Sequence, residues 1–128
     1  MTNTPTKRQS ELNDLTDRFV DAFNRQNIED VMAFFAETAQ YNDAYGDTHT
    51  GLIEIRSAFE PVLNGKIGKI LFKADDRFID AEAGKVMDSW TLKMFCGEGV
   101  DKERSLIGLD LLHFEGDKLV RKITYKRG

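Results

Sequence analysis

Cysteine is almost missing from this 128-residue chain. Cys96 is the only one, so no intramolecular disulfide can form and no cysteine-based metal motif exists. Two prolines leave no Pro-rich or low-complexity linker. Long apolar runs are also missing, and the polar stretch Met1 to Gln9 is followed by no signal-peptide core, so the expected address is cytoplasmic, with no membrane partner. Positive charge is in deficit: 18 Lys and Arg against 22 Asp and Glu give a net charge of -4 and a pI near 5.2. A nucleic-acid surface wants the opposite sign. The two histidines, His49 and His113, make no zinc motif, and there is no phosphate-cradling glycine loop, Ser-His-Asp motif or dinucleotide fingerprint. Neither a metal nor a cofactor is called for.

What is present is an ordinary globular composition, 41% hydrophobic and 31% charged. At this length one domain can bury roughly two-thirds of the surface of its unfolded chain. We read residues 1–9 as a flexible leader and 10–128 as a single domain. Ser10 is a candidate N-cap for a helix whose Leu12, Leu15, Phe19, Ala22 and Phe23 recur at spacings of three and four. Asn27 is a second N-cap candidate, followed by Glu29, Asp30 and the apolar Ile28, Val31, Met32, Phe34 and Phe35. Ala39 to Asp43 reads as a short strand with Tyr41 and Asp43 on one face, and Asp47 to Thr50 as a loop. Gly51 to Leu63 reads as a third helix, disturbed at Pro61 and stopped by Asn64 and Gly65.

From Lys66 the period changes to two. Ile70, Phe72, Ala74 and Phe78 share one face of a strand, with Lys69, Lys73 and Arg77 opposite. Glu82-Ala83-Gly84 turns into Val86 to Cys96, where Trp90, Leu92, Met94 and Cys96 oppose Ser89, Thr91 and Lys93. Gly97-Glu98-Gly99 and Glu115-Gly116-Asp117 set off two further strands, Arg104 to Phe114 and Leu119 to Tyr125. The order predicts α+β architecture: a curved, cone-shaped mixed or antiparallel sheet around a pocket, with three helices from the N-terminal half on one face. The strand from Arg104 is apolar on both sides, Leu106, Gly108, Asp110, Leu112 and Phe114 against Ile107, Leu109, Leu111 and His113. Helices can cover one side, and a homodimer through the sheet is the economical cover for the other.

Two carboxylates stand out. Asp43, beside a polar turn, is expected to stay ionised and accept a proton. Asp110, set among apolar neighbours, is expected to be kept neutral and to donate a hydrogen bond to a developing oxyanion. The structural alternatives are a turn aspartate bonding amides near Tyr45 and Gly46, and a hydrogen-bonded structural carboxylate. Trp90 is either pocket wall or core. The basic residues Lys118, Arg121, Lys122, Lys126 and Arg127 read as a solvated strand edge and tail.

Three segments carry a resemblance to a known family. They are Phe19-Val20-Asp21-Ala22-Phe23-Asn24 with Asn27 to Ala36, Gly51-Leu52-Ile53-Glu54-Ile55-Arg56, and Asp110-Leu111-Leu112-His113-Phe114-Glu115-Gly116-Asp117-Lys118-Leu119-Val120. In these the chain resembles the nuclear transport factor 2-like superfamily, and within it the SnoaL-like polyketide cyclases and ketosteroid isomerases. The resemblance implies an α+β cone around a pocket, often in a homodimer. It implies that Asp43 stands where the isomerases carry their general base and Asp110 where they carry the protonated oxyanion-hole acid. Phe19 stands where they carry a tyrosine donor, which departs from steroid isomerisation. The combined expectation is a cofactor-independent isomerase or cyclase for a small apolar carbonyl compound, with Asp43 and Asp110 catalytic and Phe19, Tyr41, Phe59, Trp90, Leu92 and Met94 lining the substrate pocket. The alternatives are a non-catalytic small-ligand-binding domain, or an assembly subunit that uses its apolar sheet face.

Overall fold

The computed structural model describes residues 6–95 and 103–127. Helix α1 (Lys7–Asn24) starts before the expected Ser10. Thr6 caps it in a reciprocal box, its hydroxyl accepting from the Gln9 amide while the Gln9 side chain accepts from the Thr6 amide. Leu12, Leu15, Thr16, Phe19, Ala22 and Phe23 form its buried stripe. Helix α2 (Ile28–Met32) is a single turn capped by Asn27, as its sequence suggests. Phe35, expected on that helix face, instead opens strand β1 (Phe35–Asn42).

Part of the segment expected as a loop is strand β2 (Thr48–Thr50), which pairs antiparallel with β1. Helix α3 (Gly51–Leu63) runs through Pro61 and ends at Asn64. The long strands are β3 (Lys69–Asp80), β4 (Lys85–Phe95), β5 (Glu103–Glu115) and β6 (Lys118–Lys126). Cys96 and the expected Gly97-Glu98-Gly99 turn lie outside the described residues.

The sheet order is β2-β1-β6-β5-β4-β3. The strands β3 to β6 form the expected antiparallel meander, while β1 lies parallel to β6, which makes the sheet mixed. Because β1 covers β6, the basic stretch Lys118 to Lys126 is an interior strand and not the expected edge. The core lies between the helices and the concave sheet face, with Phe19, Ala22, Ile55, Ile70, Val86, Leu112 and Leu119 almost fully buried. Together these elements make an α+β cone with three helices and an open six-stranded sheet.

Two register shifts decide which side chains face inward. Asp75 has no partner between the Ala74–Trp90 and Asp76–Ser89 pairs, so the inner face passes from Ile70, Phe72 and Ala74 to Arg77 and Ile79. One unpaired residue reverses the alternation beyond it. Phe78, expected inside, is 67% exposed, and Arg77, expected outside, packs inward with α1. A second shift in β6, between Leu119 and Arg121, turns Lys122 inward as well.

The outer sheet face carries Met87, Phe78, Ile107 and Tyr125, all well exposed, beside the half-buried Leu109, Leu111 and Ile123. Among the described residues no helix is long and apolar enough to cross a membrane, and no cluster of three His, Cys, Asp or Glu could hold a metal ion.

Candidate functional site

The concave face and the helices form a cavity of about 150 Å³, whose lining includes the solvent-exposed Tyr45 and Lys126. Phe19 and Phe23 of α1, Phe59 of α3, Tyr41 of β1, and Phe72, Trp90, Leu92, Leu106 and Leu112 of the sheet make most of its wall. Of the residues expected to line the pocket, Phe19, Tyr41, Phe59, Trp90, Leu92 and Asp110 do so. Met94 does not; it packs partly buried against the core beyond the cavity wall. Asp43 is not among the lining residues either, although the next two, Ala44 and Tyr45, are.

One cross-strand row of polar residues runs along the wall, and its Asp88, Asp110 and Thr124 line the cavity. Arg77 on β3 pairs with Asp88 on β4, Asp88 with Asp110 on β5, and Asp110 with Thr124 on β6. Directly opposite residues share a face, so two carboxylates stand side by side, flanked by a guanidinium and a hydroxyl. Lys122 joins from the same strand as Thr124. Its Nζ donates to Asp110 Oδ1 at 3.1 Å and to Thr124 Oγ1 at 2.7 Å. Thr124 Oγ1 donates onward to Asp110 Oδ1 at 2.6 Å, and the indole Nε1 of Trp90 donates to Oδ2 at 3.2 Å.

This pair is nearly dry: the side chains of Lys122 and Asp110 are 6% and 15% exposed. The ammonium also lies 4.6 Å from the Tyr41 ring centre and 5.5 Å from that of Phe59. Ring faces carry negative potential and favour a cation there. The arrangement changes the role expected of Asp110. Its oxygens accept three hydrogen bonds, one from an ammonium, so in this geometry the residue is an acceptor, where the sequence reading made it a donor.

Lys122 is the cavity-wall residue that sequence reasoning missed. In a plain two-residue alternation from Leu119 it points outward, and only the irregularity in β6 brings it in. Asp88 was missed too, although a signal existed: it falls in phase with Val86, Trp90 and Leu92. It is 2% exposed, and Arg77 grips it through Nε at 2.8 Å and Nη2 at 3.3 Å. Burial pushes the Asp88 carboxyl above its ordinary value, and the Arg77 hydrogen bonds offset only part of that. Arg77 is anchored in turn by Asp17 and Asn13 of α1.

Asp43 sits in the turn after β1. Its Oδ1 accepts from the amides of Tyr45 at 2.9 Å and Asp47 at 3.0 Å, and Oδ2 accepts from His49 Nε2 at 2.9 Å. Partial burial pushes this carboxyl up, but the His49 hydrogen bond and the two amides outweigh it and hold it below its ordinary value. The His49 ring stacks on Tyr41 at 5.4 Å, and Tyr41 faces the Lys122 ammonium. Asp43 therefore reaches the cavity only through His49 and Tyr41. The same geometry gives His49 a place bracing the wall, while His113 lies on the opposite sheet face from Asp110.

A concave mixed sheet capped by three helices over a pocket is the nuclear transport factor 2-like fold. The chain belongs to the SnoaL-like domain family, whose model matches residues 16–122. No curated protein matches its sequence. Among solved structures it is similar to AusH from Aspergillus nidulans, with a TM-score of 0.80 and 16% identity over 98% of this chain and 88% of that one. It is also similar to a candidate polyketide cyclase from Xanthomonas campestris, with a TM-score of 0.73 and 18% identity over 94% and 93%. A protein of ketosteroid isomerase-like fold from Catenulispora acidiphila, solved with trimethylamine, gives a TM-score of 0.70 and 16% identity over 87% and 83%. At these identities the likeness establishes the fold.

Proposed function

We propose that this protein binds a small, largely apolar carbonyl compound and catalyses proton transfer beside the carbonyl, with isomerisation or ring closure as the outcome. The Asp110–Lys122 pair facing an apolar cavity carries this reading. The base expected at Asp43 moves to Asp110, because the Asp43 carboxylate is committed to the turn and to His49 and does not line the cavity. Asp110 takes a proton from the carbon next to the carbonyl, the C–H electron pair becomes the new C=C bond, and the C=O π pair moves onto oxygen. Lys122 donates a hydrogen bond to that oxygen as charge builds on it, filling the place the sequence reading gave to a neutral Asp110. Asp110 then returns the proton to another carbon, or the enolate carbon attacks a second carbonyl, closing a ring as that carbonyl's oxygen takes the proton from Asp110. In a water-poor cavity a fixed cation stabilises such an oxyanion far more than it would in water.

Deuterium uptake at the α-carbon of small ketones, followed by NMR, tests this. Asp110→Asn should reduce uptake by at least about 100-fold, within the usual range for a positioned base. Uptake unchanged in Asp110→Asn removes the assignment. The same reading includes a second copy of the chain across the outer face, since a two-fold pairing would cover Ile107, Met87 and Tyr125 of both copies at once.

A further inference from the structure

The unused hydrogen-bonding capacity of the site is small and specific. An ammonium has three N–H bonds. Lys122 spends two of them on Asp110 and Thr124, and among the described residues the third has no hydrogen-bond acceptor, only the ring faces of Tyr41, Phe59 and Phe23. A carboxylate offers about four acceptor positions. Asp110 has three filled, two on Oδ1 and one on Oδ2. The neighbouring Asp88 gives both oxygens to Arg77. The ion pair thus offers one donor and one acceptor to a mainly aromatic and aliphatic box.

The size of that box is equally restrictive. Pockets for drug-sized ligands run to roughly 300–1,000 Å³, whereas an apolar cavity of roughly 150 Å³ holds benzene. This cavity is about 150 Å³. We infer that its ligand is a single-ring, enolisable ketone, its oxygen accepting from Lys122 and its acidic C–H directed at Asp110, and that a fused polycyclic skeleton is excluded. The inference rests on the proton-transfer reading for its chemistry, but its size limit stands on the cavity alone. A second polar substituent would find few partners inside, chiefly the positions on Asp88 that Arg77 leaves open.

Trp90 supplies the assay. It is the only tryptophan, and its indole N–H touches Asp110 directly. A ¹⁵N-labelled sample therefore has one indole signal, which reports on the site. Titration with 2-cyclohexen-1-one should move that signal to saturation, while the four-ring androst-4-ene-3,17-dione should leave it in place up to its solubility. Lys122→Met should weaken cyclohexenone binding by about tenfold or more, as for loss of a hydrogen bond to a charged group. A saturating shift with the four-ring enone overturns the size limit; equal cyclohexenone affinity in Lys122→Met overturns the carbonyl assignment.

If Lys122→Met does not give a folded spectrum, cyclohexene, of the same ring size without the carbonyl, replaces it: affinity equal to that of cyclohexenone overturns the carbonyl assignment. Leu106→Ala is a second size test, since it removes wall volume without changing the ion pair. It should then let in the two-ring 2-tetralone with about tenfold gained affinity, and an unchanged preference overturns the limit. Deuterium uptake separates the two readings. Cyclohexenone that binds without Asp110-dependent uptake keeps the ligand class and removes the catalysis, whereas the four-ring enone binding with uptake does the reverse.

Discussion

Replacing Arg77, which holds the lining residue Asp88, by Met should be the most damaging single change around the cavity. Arg77 is 14% exposed along its side chain and Asp88 3%, and two hydrogen bonds join them. Methionine keeps much of the stem volume but leaves Asp88 beside Asp110 with no cation of its own. Breaking a buried pair from one side costs about 3–5 kcal/mol. For a domain of this size that corresponds to a Tm lowered by roughly 10–20 °C. The loss should depend on pH in a defined sense. Burial already raises the Asp88 carboxyl above 3.8, so the folded state holds that proton more tightly than the unfolded state does. Its contribution to stability therefore grows as pH falls through the window just above 3.8 and is lost as pH rises through it. Without Arg77 the carboxyl should rise further, and the deficit of Arg77→Met should be larger at pH 7 than at pH 4.5. Urea unfolding at both pH values measures it. Asp88→Leu added to Arg77→Met should recover most of the loss, because the orphaned charge is then gone. A deficit below about 1 kcal/mol at pH 7, or one independent of pH, would refute the claim that the wall is held by this pair.

Further outcomes follow from other parts of the site. Asp43 has the opposite sign: its carboxyl lies below 3.8, so its stabilisation is present above 3.8 and lost as pH falls below it. Asp43→Asn should lower Tm at pH 7 and converge with the parent near pH 2.5, while deuterium uptake should fall far less than in Asp110→Asn. A Cβ at position 108 would run into the Tyr125 carbonyl oxygen and lie 2.5 Å from Cη2 of Trp90. Gly108→Ala should thus cost about 1–3 kcal/mol and shift the tryptophan emission, read by fluorescence-monitored unfolding. The Asn24 side chain both donates to the Phe72 carbonyl and accepts from the Phe72 amide. Asn24→Ala should release that amide to rapid hydrogen exchange while leaving β5 protected. Sedimentation velocity should give a dimer, and Ile107→Lys a monomer, if a second copy covers the outer face.

Much of the fold was legible because local pattern and tertiary placement agree. The spacing of Leu12, Leu15, Phe19, Ala22 and Phe23 and the Asn27 cap reappear directly in α1 and α2, and the alternation over Val86 to Leu92 in β4. Phe19, Tyr41, Phe59, Trp90, Leu92 and Asp110 were legible as cavity wall for the same reason. The reading failed where one residue changes phase. The extra Asp75 exchanged Arg77 and Phe78 between faces, and the shift in β6 turned Lys122 from a surface charge into the counterion of Asp110. Neither bulge has a glycine or proline to mark it. Asp43 failed differently, since a carboxylate at a strand end reads the same whether it faces a pocket or closes a turn, and only its three donors decide.

The parallel pairing of β1 with β6 also dictates when the site can exist. On a ribosome the chain emerges from its N-terminus, and β1 with its short partner β2 is made some 75 residues before the strand that must lie beside it. Until then β1 presents an open edge and Tyr41 has no ammonium to face. Asp110, Lys122 and Thr124 all belong to the last two strands, so helices and half the cavity wall are translated before any of its acid–base chemistry. Such long-range closure slows folding and exposes the edge to misassembly, and truncating even the last strand would leave a scaffold with no reactive pair.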